Sequence, residues 1–207
     1  MFKATLHALA LAAALSSGSA FAAVCTGSSV GTAQTTDVTF AGLASDACVI
    51  SGVNPQQGSN GNTSGFDGAF GGGWELLGKV TTSTTTGNNT LDGVNFTWTF
   101  AQTTGKIGTW TLAADKDVTL DLVFAMHASN HSGAFLFDDQ SVFAQTPGTW
   151  SIHWLNDGGK VPSFSNLTLF ARDINTVTAV PEPETYALLA AGLAFVGWTS
   201  RRRKRQQ

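Results

Sequence analysis

Residues 118–127 read Val118-Thr-Leu-Asp-Leu-Val-Phe-Ala-Met-His127. Val118, Leu120, Leu122, Phe124 and Met126 alternate with Thr119, Asp121, Val123, Ala125 and His127, the period-two pattern of a β-strand with one buried face. The same period recurs on either side. Phe96, Trp98 and Phe100 alternate with Thr97 and Thr99, and Trp150, Ile152 and Trp154 alternate with Ser151 and His153. Trp110 with Leu112 and Leu167 with Leu169 extend it, and further strands are expected at 38–40, 74–81, 135–137 and 140–144. Gly-, Asn- and Asp-rich turns punctuate these runs, and no helical period appears between the two ends of the chain. The expectation is an all-β body, an antiparallel β-sandwich or jelly roll.

The chain has six tryptophans and 14 phenylalanines, of which the five and 11 between Ala23 and Val180 supply the packing material of the body. Each buried aromatic removes about 150–250 Å² from water, enough to hold together a chain of which only 12% is charged. Residues 54–73 are too polar and glycine-rich to pack and are expected as a long exposed loop, with a second loop over 81–90. Cys25 and Cys48 are the only cysteines. In an oxidising compartment a disulfide is the simplest reading, since a metal pair would want further Cys or His nearby.

The net charge of −3 conceals an asymmetry. Between Ala23 and Val180 twelve acidic residues outnumber five basic ones, which excludes nucleic acid as a natural partner. The other basic residues are Lys3 and the run Arg201, Arg202, Arg203, Lys204, Arg205, placed where membrane topology uses them. At the N-terminus Lys3, the apolar run from Ala8 to Leu15 and Ser19-Ala20-Phe21-Ala22 have the order of a Sec-type signal peptide, 1–22, cleaved after Ala22. The apolar run is far shorter than the roughly 20 residues that span a bilayer. A lipoprotein reading through Cys25 is disfavoured by the branched Val24 before it.

The C-terminus runs Val180-Pro181-Glu182-Pro183-Glu184, then almost wholly apolar through 186–198, then basic from Arg201 to Arg205. This order resembles the PEP-CTERM sorting tail of Gram-negative bacteria. The resemblance implies that Pro181, Glu182 and Pro183 are read by exosortase, a transpeptidase-like membrane enzyme, while the apolar segment and basic end hold the precursor in the inner membrane. The physics fits that order: two prolines keep the triplet extended. An apolar helix of about 15 residues reaches only about 22 Å, short of a hydrocarbon core of about 30 Å, so the anchor is marginal. The basic run stays cytoplasmic and leaves the body outside. The organisation expected is therefore a signal peptide (1–22), one β-sandwich body (23–180), and a sorting tail with a single hydrophobic helix (181–207).

Parts of the body are also similar to a recurring group of small secreted PEP-CTERM sandwiches. The segments that carry the likeness are Phe70-Gly-Gly-Gly-Trp74 through Lys79, Asp121 through Asn130 leading to Asp138-Asp139, Gly148-Thr-Trp150 through Lys160, and Leu167 through Arg172. It implies a fold and an address without an activity.

No constellation of catalytic residues stands out, and the chain is expected not to be an enzyme. His127 and His131 are four apart, but at a strand end and turn rather than on a helix, so they are read as exposed loop histidines and no metal site or cofactor is assigned. Asp115-Lys-Asp117 and Asn156-Asp157-Gly158 do not have the 12-residue calcium-loop pattern and are read as turns. Glu75 is the only glutamate of the body, so a glycosidase pair would need an aspartate facing it. The leading expectation is a structural or interaction protein of the cell surface or extracellular matrix. The alternative is a carbohydrate-binding module associated with exopolysaccharide, using Trp74 or Trp110 as a stacking platform. Ice binding, which similar tails accompany elsewhere, wants flat Thr-x-Thr arrays, and only Thr97-Trp-Thr99 and Thr109-Trp-Thr111 answer to that in the sequence.

Overall fold

The computed structural model describes residues 22–82, 85–143 and 145–177. In chain order the strands are β1 (Thr26–Gly27), β2 (Val38–Phe40), β3 (Leu43–Ala44), β4 (Ala47–Ser51), β5 (Glu75–Thr81), β6 (Thr86–Leu91), β7 (Val94–Thr104), β8 (Ile107–Ala114), β9 (Val118–Ala128), β10 (His131–Val142), β11 (Thr146–Ser151) and β12 (Asn166–Thr176). One turn of helix, α1 (Asp67–Phe70), precedes β5. The strands form two six-stranded sheets, β1-β4-β10-β9-β12-β5 (sheet I) and β3-β2-β11-β8-β7-β6 (sheet II). Every pairing is antiparallel except the short parallel contact of β1 with β4, so the body is the expected β-sandwich.

β9 is central in sheet I, and the residues expected to face the core, Val118, Leu120, Leu122, Phe124 and Met126, do so with almost no exposure. Its other face is covered too. Phe66 and Phe70 pack on Val123, Ala125, Ala134 and Phe170, which corrects the expectation of an exposed loop over 54–73. The polar composition of that stretch hid how it is held down. Lys79 Nζ donates to the carbonyls of Gln56, Gly58 and Ser59, and Asn62 N–H to Pro55 O. Gly61 is at φ +77° with its bare Cα pressed on the ring of Phe170, a place that suits only glycine.

Sheet II is built on pairs of glycine and tryptophan. Gly148 lies opposite Trp110, Gly108 opposite Trp150, and Gly87 opposite Trp98. A Cβ on any of the three glycines would fall inside the indole across from it. The tripeptides Gly108-Thr109-Trp110 and Gly148-Thr149-Trp150 thus interlock antiparallel, each indole folding over the other's glycine. Trp110 stacks on Phe40 at 4.9 Å between centroids, and Trp150 on Phe100 at 5.0 Å. Their indole N–H groups donate to Thr39 O and Ala101 O, so the burial leaves neither donor unpaired.

Some boundaries differ from expectation. Part of 81–90 is not a loop: β6 pairs with β7 through Thr86–Leu91, its polar sequence tolerated at a sheet edge. The expected strands 135–137 and 140–144 are one strand, β10, bulged between Phe137 and Gln140. β11 ends at Ser151, yet Trp154 is still fully buried, against Phe135.

Cys25 and Cys48 form a disulfide that fastens the N-terminal segment to β4. The loop it closes spans a sequence separation of 23 residues. Cys48→Ser is expected to lower the urea-unfolding free energy by about 2–4 kcal/mol through the freer unfolded chain. Two titratable thiols in the native exported protein would contradict the bridge.

Candidate functional site

Three of the four segments singled out in the sequence, those containing Phe70–Trp74, Asp121 and Arg172, meet at Arg172 in the second half of β12. Its Nε donates to Asp121 Oδ2 at 2.9 Å, and its Nη1 donates to the carbonyls of Phe70 and Gly72, each at 3.0 Å. Its guanidinium carbon lies 4.0 Å over the ring of Trp74. Asp121 Oδ1 accepts the backbone N–H of Asp139 at the β10 bulge. Burial pushes the Asp121 carboxyl up, but the Asp139 N–H and the Arg172 guanidinium outweigh it and hold it below the ordinary carboxylate range. Asp138, beside it, is raised because its carboxyl bonds to and repels against Asp121.

This cluster borders two adjoining clefts that share Glu75. One, of about 420 Å³, is lined by Gly72, Gly73, Glu75, Asp92, Arg172, Asp173 and Asn175, among others. The other, of about 380 Å³, is lined by Asn60, Trp74, Glu75, Leu76, Asn89 and Leu91. Trp74 is half-buried, with its indole N–H on Gly71 O and Arg172 over one face, so the protein itself already uses much of this ring. Trp110, the other candidate platform, is core and 2% exposed, which removes it from any surface role.

The histidines are more enclosed than expected. His127 Nδ1 and Ser132 Oγ share a hydrogen bond of 2.8 Å, and His131 is buried, 3.9 Å from the Asp157 carboxylate. Burial, with the neighbouring His131, lowers the His127 pKa below the ordinary histidine value, against a smaller opposing effect of its hydrogen bond with the Ser129 backbone. A depressed histidine makes a contribution that is present above its unfolded pKa of about 6.5 and lost as pH falls through the folded value. Asp37, buried and raised by desolvation despite bonds from Gln34 N–H and His153, works in the opposite direction on acidification. The urea midpoint is therefore expected to fall between about pH 7.5 and about pH 5.5, and to fall less in His127→Gln. An identical fall in both proteins would show that His127 does not titrate into the folding equilibrium.

Sequence reasoning did not anticipate that Ser151, His153 and Asp37 would meet. His153 Nδ1 is 2.8 Å from Asp37 Oδ1 and 3.4 Å from Ser151 Oγ. Both contacts fall on the same nitrogen, whereas a proton relay from hydroxyl to carboxylate uses the two ring nitrogens separately. Elsewhere Asp115, just past β8, accepts the N–H and the amide of Asn95 on β7, and Asn156 Oδ1 accepts Lys160 N–H within a turn. Among the described residues no group of three or more His, Cys, Asp or Glu could hold a metal.

Pro181, Glu182, Pro183, the apolar helix expected over 186–198 and the basic run Arg201–Arg205 lie outside the described residues, as does the expected signal peptide apart from Ala22. Among the described residues no helix is long and apolar enough to cross a membrane. What the C-terminus is comes from comparison. Residues 179–204 match the family model of the PEP-CTERM protein-sorting motif. The chain carries a PEP-CTERM sorting motif. The match begins two residues before Pro181 and covers the triplet, the apolar segment and most of the basic run. A PEP-CTERM motif implies export, a membrane-anchored precursor and processing by exosortase. No curated protein and no solved structure matches the chain.

Proposed function

We propose that this exosortase substrate is a non-catalytic structural or interaction protein of the cell surface or the extracellular polysaccharide matrix. The observation that carries the reading is the sorting motif placed behind a disulfide-bridged β-sandwich. The bridge suits an oxidising destination, and the polar, charge-poor exterior suits a hydrated one. The test is fractionation of the native protein. Recovery with the outer surface or the extracted matrix, and release to the medium in a host unable to make exopolysaccharide, is the expected result; retention in the periplasm would overturn it.

A second reading, a carbohydrate-binding module, draws on the paired clefts around Glu75. Trp74, Asn60, Asn89, Asp92 and Asn175 combine an aromatic edge with amides and carboxylates, the groups that grip a polyhydroxylated ligand. Glycan-array binding lost in a folded Trp74→Ala variant would favour it over the first reading. A blank array that includes the native exopolysaccharide would remove it.

A further inference from the structure

An edge strand presents unpaired backbone N–H and C=O groups, a template for another strand unless something blunts it. Among the described residues the edges are β1 and β5 in sheet I and β3 and β6 in sheet II. All but one are blunted. β1 and β3 are two residues long, and the disulfide fastens the chain next to β1. β5 carries Glu75 and Lys79 and is irregular opposite Leu169 and Phe170. Two of its edge carbonyls are also taken: Asn89 Nδ2 donates to Leu76 O at 2.9 Å, and Gln56 Nε2 to Val80 O at 3.5 Å. β6 has none of these devices. Thr86-Gly-Asn-Asn-Thr-Leu91 holds no charge and no proline, and its register with β7 is unbroken.

That register shows which backbone groups of β6 are free. The strand joins β7 through the two-residue turn Asp92-Gly93, both at positive φ, so Leu91 and Val94 form a hydrogen-bonded pair. Alternation then turns Gly87, Asn89 and Leu91 toward β7, in step with the bond from Phe100 N–H to Thr85 O. Thr86, Asn88 and Thr90 turn their N–H and C=O to the open edge, and their side chains are exposed. Thr90 N–H is taken by Asn89 Oδ1 at 2.9 Å. Among the described residues nothing bonds the edge-facing backbone groups of Thr86 and Asn88.

The free groups are symmetric about Asn88. Laid antiparallel against itself, the strand sets Thr86 opposite Thr90 of a second copy and Asn88 opposite Asn88. The Thr86 and Asn88 donors of both copies then find carbonyls without disturbing the bond between Asn89 and Thr90. Facing threonines hydrogen-bond across such a pair. Charge does not oppose it, although the body as a whole is acidic. Asp92 lies beyond the paired segment, about 26 Å from its copy along the strand axis, well past the screening length of about 8 Å at physiological salt. We infer that β6 pairs antiparallel with β6 of a second copy, so that the two copies of sheet II run on as one across a two-fold axis. Such pairing uses the same edge on both sides, so assembly closes at the dimer.

The test is the mass in solution of the exported protein isolated from its host, by sedimentation equilibrium up to about 100 µM, where any Kd below that value shows as dimer. The mass should double as concentration rises. Amide exchange at Thr86 and Asn88 should slow over the same range while exchange in β5 does not change. Asn88→Pro removes an N–H that has no partner in the monomer, so it should keep the far-UV spectrum and urea midpoint yet stay monomeric. Asn88→Lys, which sets like charges against each other at the axis, should do the same. Thr149→Lys, on β11 of the same sheet, should still dimerise. A native protein that is monomeric throughout overturns the inference. So does a dimer that survives both Asn88 substitutions, one that leaves Asn88 exchange unchanged, or growth into open-ended species.

Discussion

Trp110→Ala is expected to lower the stability of the body by about 3–5 kcal/mol, the range for deleting a large buried aromatic. The indole is 2% exposed, stacked on Phe40, and packed at 4.9 Å against Phe124 of the opposite sheet. It also roofs Gly148, whose missing Cβ leaves no side chain to fill the space when the indole goes. Thr39 O loses its indole donor at the same time. Against a total of about 5–15 kcal/mol for a domain, the loss would bring the protein to the edge of unfolding. Gly148→Ala is the converse experiment: the added methyl meets Trp110 and the Thr39 carbonyl, and overpacking of this kind costs about 1–3 kcal/mol. Urea unfolding followed by tryptophan fluorescence would read both. A change below about 1 kcal/mol for Trp110→Ala would mean that the glycine–tryptophan interlock does not organise sheet II.

Changing Pro181-Glu182-Pro183 to three alanines is expected to trap essentially all of the protein as an uncut precursor in the inner membrane. The motif over 179–204 places the triplet at the head of the segment that exosortase processes. Among the described residues the last strand ends at Thr176, before the triplet, so the sandwich should fold unchanged. The apolar residues of 186–198 and Arg201–Arg205 are untouched and would still hold the chain. Immunoblotting of membrane and extracellular fractions in a host that has the enzyme is the measurement. Mutant and wild type at the same mass in the same fraction would reduce the triplet to a stiff linker.

The strands of the core were readable because burial on one face writes a period of two into the sequence. β9, β7 and the Trp110 and Trp150 strands all show it. β6 did not show it, since Thr86-Gly-Asn-Asn-Thr-Leu91 at a sheet edge buries too little to force apolar residues. β4 was missed because Ala47-Cys-Val-Ile-Ser51 is short and lies partly beneath Phe70's cluster, which makes both of its faces apolar. The repeated Gly-Thr-Trp was a usable signal for the interlock, but only pairing register turns it into contacts. The same limit hid the Arg172 cluster, whose partners Phe70, Trp74 and Asp121 are distant along the chain. The sorting tail was legible throughout because its meaning lies in linear order, a stiff triplet, an apolar run and a basic stop, which no tertiary contact alters.

An exported exosortase substrate leaves the inner membrane processed at both ends. Intact mass of the native product, taken before and after reduction and alkylation, reads this in one experiment. The expected species begins at Ala23, lacks the apolar segment and basic run that follow Pro183, and takes up alkylating reagent at Cys25 and Cys48 only after reduction. A full-length or C-terminally intact chain in the inner membrane of a host with a working exosortase would contradict it.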